Sequence, residues 1–213
     1  MTIFLEGMGR VNKKLIKKFN RQAETYDRLR EKQFQKKWRE KLIGEARGHV
    51  LELAVGAGGN FPFYRLEEIH TITAVDFSPE MLGKAEEAAQ HYHLPVKFIE
   101  SDIEELAFEK QQFDTVVSTL SFCGYSNPVR ILENVSTWCK PHGQVLLLEH
   151  GISSNLFAST LQRALNPLAV KTVGCHQNRN IMELLNRSPL EIQKAEHHWL
   201  DVFHLIWATP RKE

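Results

Sequence analysis

The chain has 213 residues, of which 42% are hydrophobic and 25% are charged, and its formal net charge is +1. This length and composition predict one ordinary soluble domain, large enough to bury a substantial core without disulfide bonds or a structural metal. The three cysteines show neither a C-x-x-C pair nor the spacing of zinc ligands, so we expect a reducing compartment and no metal.

Targeting signals are not evident in the sequence. It has neither an apolar N-terminal stretch of signal-peptide length nor a run of about 18 apolar residues. We therefore expect a cytoplasmic protein that does not span a membrane.

The near-neutral net charge conceals a basic segment. Residues 10–41 contain 13 Lys and Arg against four acids, whereas residues 42–213 carry a net charge of −7. Apolar residues recur through this segment at helical spacing: Leu15, Phe19, Ala23 and Tyr26, followed by Phe34, Trp38 and Leu42. The pattern predicts two helices that cap the domain, with a basic face that is either simply solvated or attracted to an anionic lipid or substrate. Nucleic acid is not expected, because the charge is confined and its polar face lacks interleaved aromatic residues.

A strand, a glycine loop and a second strand follow the basic segment. The first strand, 49–55, enters a loop that contains Gly56 and Gly58, a helix is predicted over 60–68, and the second strand, 71–76, ends on Asp76. Glycine lets the backbone bend sharply and lie against a ligand. This is half of a nucleotide-binding α/β fold, in which an acid such as Asp76 accepts hydrogen bonds from ribose hydroxyls.

The loop also indicates which nucleotide is bound. A dinucleotide site would have a third glycine where this chain has Phe61, and no Gly-Lys-Ser or Gly-Lys-Thr follows to make a P-loop. Glu52 lies inside the apolar first strand, where a carboxylate needs a cation or hydrogen-bond donors. S-adenosylmethionine offers an ammonium and a sulfonium, whereas a diphosphate would repel this acid. A dehydrogenase remains a disfavoured alternative.

The remaining elements alternate in the same way. Further strands are predicted over 96–100, 113–119 and 144–149, and helices over 79–92, 103–107 and 129–140, with Ser78 and Pro79 as a helix start. Residues 153–187 are predicted to be mostly helical with a break at Asn166-Pro167, and 190–198 and 202–209 to be two closing strands. This alternation predicts a doubly wound, mostly parallel sheet with its ligands beyond the carboxyl ends of the strands.

Four motifs in this order resemble those of the class I S-adenosylmethionine-dependent methyltransferases. They lie at residues 52–58, 75–82, 101–106 and 113–118, and Ala54 replaces the first glycine of the first motif. The resemblance implies a seven-stranded Rossmann-like fold. It further implies a basic helical lid over residues 1–45 and a cofactor-binding catalytic domain over 46–213.

Within that superfamily the chain resembles the branch of the UbiE-like quinone-biosynthesis methyltransferases. That branch also includes phosphatidylethanolamine N-methyltransferases and alkyl-thiol methyltransferases. The features that carry this resemblance are Tyr26-Asp27 before a basic helix, residues 146–151, Asn166-Pro167, and Gly174-Cys175-His176 followed by Arg179.

The resemblance and the spacing together assign candidate roles. Glu52 would orient the methionyl ammonium, Asp76 would bind the ribose, and Asp102 and Ile103 would contact the adenine. The full set of candidate cofactor residues is Tyr26, Glu52, Ala54, Gly56, Gly58, Asn60, Asp76, Phe77, Met81, Asp102, Ile103, Ser118, Thr119 and Leu120.

Candidates for the acceptor side follow the fourth and fifth strands. Phe122, Cys123 and Arg179 are candidate substrate contacts, and His150 and His176 are candidate general bases. A single cysteine in an apolar stretch is more often buried and inert than nucleophilic, so Cys123 is not assigned as a nucleophile.

These observations predict a methyltransferase that acts on a small-molecule acceptor, such as a quinone precursor or a thiol. Two alternatives remain open. One is an interfacial phospholipid N-methyltransferase that contacts the membrane surface through residues 10–41, and the other is a non-catalytic cofactor-binding protein that serves as a scaffold or sensor.

Overall fold

The computed structural model of the protein describes residues 13–30, 32, 34–172 and 174–211. Residues 1–12 of the predicted lid lie outside the described residues, as do 31 and 33 of the basic segment and 173, 212 and 213 of the predicted catalytic domain. Among the described residues, no helix is both long enough and apolar enough to cross a membrane.

Seven short apolar segments pair into one sheet. The strands are β1 (Gly48–Leu53), β2 (Ile69–Asp76), β3 (Val96–Glu100), β4 (Phe113–Thr119), β5 (Cys139–His150), β6 (Leu190–His198) and β7 (Phe203–Pro210). Their order is β3-β2-β1-β4-β5-β7-β6. The first five strands are parallel, and β7 pairs antiparallel with both β5 and β6. The predicted doubly wound, mostly parallel sheet is confirmed.

Six α-helices accompany the sheet in the described part of the chain. They are α1 (Lys13–Leu29), α2 (Lys36–Ile43), α3 (Pro79–His91), α4 (Pro128–Trp138), α5 (Leu156–Thr172) and α6 (Ile181–Asn186). The predicted start of α3 is confirmed: the Ser78 hydroxyl accepts a hydrogen bond from the Met81 N–H at 3.2 Å, and Pro79 occupies the first helical position.

Both faces of the sheet are buried, because neighbouring strand residues point to opposite sides. Val50 belongs to an apolar cluster that also contains residues of α2 and α3, whereas the adjacent Leu51 belongs to a second cluster with residues of α4 and α6. The sheet is thus the middle layer of three, and its strand ends are left to form a ligand site.

The predicted helix over 60–68 is wrong. The segment forms two short 3₁₀ turns, Phe61–Phe63 and Leu66–Glu68. Between them Tyr64 adopts extended backbone, and its hydroxyl donates a hydrogen bond to the Glu52 carboxylate at 2.8 Å. Packing of Phe61 and Phe63 in the core and this buried bond override the local helical pattern.

The predicted break at Asn166-Pro167 is also wrong, because α5 continues through Pro167. Proline removes one backbone donor from the helix, and the rest of the hydrogen-bond ladder remains. The Asn166 side chain accepts a hydrogen bond from the Gln177 N–H at 2.8 Å and ties the helix to the loop that follows it. The helix ends instead at Thr172, two residues before Gly174, whose backbone φ is +86°.

The apolar stripe predicted for the second helix is correct in part. Phe34 is 58% exposed and stacks on Trp199, with 4.9 Å between the ring centroids. Leu42 is buried as predicted, but the other two buried positions are Gln35 and Arg39. A basic residue is therefore buried where the sequence pattern predicted an aromatic one.

Candidate active site

The carboxyl ends of the parallel strands and helix α1 enclose a cavity of about 450 Å³. This volume lies in the range of small-molecule and cofactor sites. Six predicted residues line it from α1 and from the segments that follow β1 and β2, namely Tyr26, Ala54, Gly56, Asp76, Phe77 and Met81. Five more line it from the segments that follow β3 and β4, namely Asp102, Ile103, Thr119, Leu120 and Cys123.

Glycine is required at the two predicted positions, 56 and 58, for different structural reasons. Gly56 has φ +55°, and a Cβ at this position would meet no atom within 4 Å, so the backbone is open to a ligand. Gly58 has φ +75° and does not line the cavity, since a Cβ there would lie 2.8 Å from the ring of Phe61. Ala54 also has a positive φ, 51°, the conformation for which glycine is favoured.

The Asp76 carboxylate is held in place by the glycine loop. Its two oxygens accept hydrogen bonds from the N–H groups of Gly56 and Ser78, each at 2.9 Å. Burial raises the pKa of Asp76 to about 6, although these backbone hydrogen bonds favour the ionised form. The result is an oriented carboxylate whose remaining lone pairs can accept further hydrogen bonds at the cavity wall.

Glu52 and Asn60 lie behind the cavity wall rather than on it. The Glu52 carboxylate is 1% exposed and accepts hydrogen bonds from the Asn60 amide and the Tyr64 hydroxyl, both at 2.8 Å. Burial raises the pKa of Glu52 to about 7, and the hydrogen bonds and Arg39 act in the opposite direction. Glu52 can therefore influence a ligand through this network, without direct contact in the described arrangement.

Arg39 is the charged residue that the sequence reasoning missed. Its guanidinium lines the cavity, is 6% exposed, and donates hydrogen bonds to the Asn60 side chain and to the Thr119 hydroxyl. Burial lowers the pKa of Arg39 to about 10, while Glu52 and Glu149 favour its charged form. Its Nε atom is buried without a hydrogen-bond partner among the described residues. A buried cation with an unused donor is suited to an anionic ligand group.

A second missed residue, the acid Glu149, fixes the loop after β4. Its carboxylate accepts hydrogen bonds from the Ser118 hydroxyl at 2.9 Å and from the N–H groups of Ser121 and Phe122 at 3.2 Å each. Ser118, a predicted cofactor contact, thus faces Glu149 and does not line the cavity, and neither does Phe122. Burial raises the pKa of Glu149 to about 7.

Asp102 and Ile103 lie where the third motif predicted them. One oxygen of Asp102 accepts a hydrogen bond from the Glu104 N–H at 3.0 Å, which starts the 3₁₀ turn Ile103–Glu105. Burial raises the pKa of Asp102. Ile103 is buried, so its side chain forms an apolar part of the wall next to a carboxylate.

The candidate bases and Arg179 do not line the cavity. His150 ends β5, and the backbone N–H of His176 donates to the Cys123 carbonyl at 3.0 Å. Arg179 donates to the backbone carbonyls of Phe122 and Tyr125, so it braces the loop after β4. These contacts are structural, and the proposed catalytic and substrate roles of the three residues stay predictions.

The missed residues had recognisable signals. Glu149 is an acid at the end of an apolar strand, the same signal that selected Glu52. Arg39 lies four residues after Gln35 and three before Leu42, on the face of α2 that proved to be buried. Cys175 lies in the Gly174-Cys175-His176 motif, in which the sequence pattern assigned no role to the cysteine. The structure places Cys175 in the cavity wall.

Comparison with known proteins agrees with this geometry. Residues 51–147 match the family described as a methyltransferase domain. A phosphatidylethanolamine N-methyltransferase from Cereibacter sphaeroides is 31% identical over 147 residues, which cover 68% of this chain and 71% of that protein. The chain belongs to the class I S-adenosylmethionine-dependent methyltransferases. It is an enzyme, and its cofactor is S-adenosylmethionine.

Other relatives of this methyltransferase differ in length. The mitochondrial methyltransferase OMS1 of Saccharomyces cerevisiae is 28% identical over 185 residues. This match covers 76% of this chain but only 38% of that protein. Among solved structures, an S-adenosylmethionine-dependent methyltransferase from Aquifex aeolicus superposes with a TM-score of 0.62 at 16% identity, covering 89% of this chain and 97% of that one. At such low identity the superposition shows a shared fold.

The residues of this methyltransferase fit the cofactor that its family uses. Gly56 leaves open space at the wall, Asp76 presents an oriented carboxylate, and Arg39 keeps an unused buried donor among the described residues. These features suit respectively a close backbone approach, a ribose diol and a methionyl carboxylate.

Proposed function

We propose that this methyltransferase modifies a small, largely apolar acceptor, such as a quinone precursor or an alkyl thiol. The observation that carries the proposal is the contrast between two parts of the cavity wall. Helix α1 contributes the apolar side chains of Leu15, Phe19 and Leu29, whereas the charged groups of Asp76 and Arg39 come from elsewhere. Leu29 is 50% exposed, so the apolar wall reaches solvent and gives an acceptor a way in.

In this proposal the charged groups hold the cofactor. Asp76 accepts hydrogen bonds from the ribose hydroxyls, and Asp102 with Ile103 holds the adenine. Arg39 pairs with the methionyl carboxylate, and Glu52 orients the ammonium through Asn60 and the hydroxyl of Tyr64. Tyr26, on the exposed side of the cavity, covers the methionyl end as part of the predicted lid.

When bound, S-adenosylmethionine supplies an electrophilic methyl group on a positively charged sulfur. The chain itself has to hold the acceptor in line with that methyl group, and orientation of this kind lowers barriers by about 7–11 kcal/mol in favourable systems. The apolar residues of α1 also exclude water, which leaves a thiolate or enolate acceptor poorly solvated and therefore reactive.

The test combines a binding and a turnover measurement. The melting temperature should rise with S-adenosylhomocysteine and not with NADH, and a ligand at about 100 times its Kd should stabilise the fold by about 2.7 kcal/mol. Alkyl thiols and hydroxylated quinone precursors are then supplied with S-adenosylmethionine, and methylated product is measured. Leu29→Glu should lower turnover with unchanged cofactor binding, because it charges the apolar wall. Cofactor binding without any product in either class would refute the proposed acceptors.

A second candidate, an interfacial phospholipid N-methyltransferase, is favoured by an exposed apolar face on α5. The side chains of this face are at least half exposed and recur at helical spacing: Leu156, Phe157, Leu161, Leu165 and Leu168. The turn that contains the exposed Trp199 and Leu200 adjoins the start of the helix, because the Ser153 hydroxyl donates to the Leu200 carbonyl.

The basic residues of α1 lie at the other end of this face. The Lys18 ammonium lies 3.7 Å from the position that a Cβ on Gly174, just beyond α5, would occupy. An apolar helix face next to a basic helix is the arrangement of interfacial membrane-binding segments. Membrane contact would bring a phospholipid headgroup to the exposed side of the cavity.

Vesicle binding distinguishes the two candidates. The interfacial candidate predicts cosedimentation with phosphatidylglycerol-containing vesicles and its loss when Lys13, Lys14, Lys17 and Lys18 are replaced by Gln. Replacement of Lys97 and Lys110, exposed lysines outside α1, serves as the control. Methylation of phosphatidylethanolamine in vesicles, with soluble thiols and quinone precursors left unmodified, would favour the phospholipid enzyme. Binding that persists after neutralisation would refute docking through α1.

A further inference from the structure

Two thiols and an imidazole meet beside the cavity, although they are far apart in the sequence. Cys123 follows β4, His150 ends β5, and Cys175 lies in the loop after α5. The two sulfur atoms and one ring nitrogen of His150 all lie within 4.8 Å of one another. We call these three residues the thiol–imidazole cluster. The spacing of the cysteines in the sequence predicted no metal. Such spacing cannot reveal a cluster that is assembled from three separate segments.

The backbone around the cluster is well braced. The His176 N–H donates to the Cys123 carbonyl at 3.0 Å, which joins the two cysteine-bearing loops directly. Arg179 donates to carbonyls on either side of Cys123, at Phe122 and Tyr125. His150 is held in register with Phe203 of β7. The three donors are therefore brought together by the fold and not by chance contacts of mobile side chains.

The cluster has unused capacity to bind a ligand. The Nδ1 atom of His150 is buried and has no hydrogen-bond partner among the described residues. Cys123 is buried, and both cysteines line the cavity. No role in the proposed cofactor contacts accounts for these three side chains.

We propose that the thiol–imidazole cluster binds a thiophilic divalent metal ion, with Zn²⁺ as the best-suited species. Thiolate and imidazole ligands are those that Zn²⁺ prefers, at about 2.3 Å from sulfur and about 2.0–2.1 Å from nitrogen. Ligand atoms of a tetrahedral site with these bond lengths lie about 3.3–3.8 Å apart. Donor atoms spread over no more than 4.8 Å reach this geometry with small side-chain rotations.

The fourth coordination position would face the cavity. Three protein ligands plus one exchangeable position is the pattern of zinc sites that take part in chemistry, whereas structural sites are closed by four protein ligands. Because Cys123 and Cys175 line the cavity, a water molecule or an acceptor thiol can reach a metal held between them. Because metal ligands must be deprotonated, metal affinity should fall when the pH is lowered.

The experiment measures metal binding directly, without an activity assay. Protein purified under reducing conditions and stripped with a chelator is titrated with Zn²⁺ in competition with a chromophoric chelator, and separately with Co²⁺. We expect one metal ion per chain and a thiolate-to-Co²⁺ charge-transfer band. Cys123→Ser, Cys175→Ser and His150→Gln should each weaken binding by more than about 100-fold, the upper range for loss of a residue that merely supports a ligand.

Cys139 provides a matched control. It is also buried and forms no disulfide bond, but it lies at the start of β5, outside the cluster. Cys139→Ser should retain full metal binding, and circular dichroism should show that all four variants are folded. A reduced wild-type protein that binds no Zn²⁺, or binding that is unchanged in Cys123→Ser and Cys175→Ser, would overturn the proposal. The S-adenosylhomocysteine melting shift of the wild-type protein is independent of either result.

Discussion

Replacement of Asp76 by Asn should weaken cofactor binding without destabilising the protein. Burial raises the pKa of Asp76 from 3.8 to about 6. Each pKa unit corresponds to about 1.4 kcal/mol, so the ionised carboxylate makes the fold about 3 kcal/mol less stable at pH 7 than a neutral group in the same place would. Asn is neutral, but it offers one acceptor oxygen to the two N–H groups of Gly56 and Ser78.

The two effects of this substitution oppose each other. An N–H group left without an acceptor costs about 1–3 kcal/mol, which offsets most of the roughly 3 kcal/mol recovered by removing the charge. We therefore expect an unchanged or slightly higher free energy of unfolding, by about 0–2 kcal/mol at pH 7. Hydrogen bonds to a charged group contribute about 1.5–3 kcal/mol. If Asp76 binds the ribose as proposed, loss of its charge should weaken S-adenosylhomocysteine binding about 10- to 100-fold.

The raised pKa of Asp76 also predicts how the free energy of unfolding changes with pH. The folded protein keeps the Asp76 proton up to about pH 6 and the unfolded chain loses it near 3.8, so stability falls as pH rises between these values. The stability of Asp76→Asn relative to wild type should accordingly increase from about pH 4 to pH 6 and then level off. Urea unfolding across this range, with isothermal titration calorimetry for the ligand, measures both quantities.

Asp114→Asn is the control with the opposite signature. This carboxylate, near the start of β4 and away from the cavity, pairs with Lys140 at 2.6 Å, and the lysine contributes to the lowering of its pKa. The substitution should lower stability slightly and leave ligand binding unchanged. If Asp76→Asn binds S-adenosylhomocysteine as tightly as wild type, or loses stability as well as affinity, the assignment of Asp76 to the ribose is refuted.

Three further predictions concern the glycine loop and Asp76. Ala54→Gly should raise the free energy of unfolding by up to about 1 kcal/mol in urea titrations, because it relieves a φ of 51°; a loss of stability would contradict this. Gly58→Ala should cost about 1–3 kcal/mol of stability because its Cβ would lie 2.8 Å from Phe61. Gly56→Ala should cost less, about 1 kcal/mol for its φ of +55°, and should mainly reduce S-adenosylhomocysteine affinity in calorimetry. Equal losses of stability in the two variants would be inconsistent with the structure. The Kd for S-adenosylhomocysteine should rise below about pH 6 in wild type, by about 10- to 100-fold in total as Asp76 is protonated, but not in Asp76→Asn; parallel pH profiles would show that another group controls binding.

Much of the fold was predictable because its signals are local. Short apolar strands, the Ser78-Pro79 helix start and the acid at the end of β2 are each set by neighbouring residues and by the repeat of the secondary structure. The first two motifs likewise located Gly56 and Asp76 at the cavity, since each residue lies at the carboxyl end of its own strand.

The failures came where distant residues decide the outcome. The helix predicted over 60–68 is replaced by two turns because Tyr64 reaches the buried Glu52, and α5 passes through Pro167 although the local pattern predicted a break. The charge pattern predicts that Arg39 belongs to a basic surface, whereas packing places it in the cavity wall near Glu52 and Glu149. Surface and interior cannot be told apart for a charged residue when its counter-ions are remote in sequence.

The sequence by itself determined the class of fold, the cofactor and the positions of the loop and the acid that face it. Only the tertiary structure decided that Glu52 lies behind the wall, that Arg39 and Glu149 are buried beside the site, and that Cys123, His150 and Cys175 meet. The physical reason is that strand, turn and cap preferences act over a few residues. Burial of a charge, and the meeting of three ligands, depend on how separate segments pack.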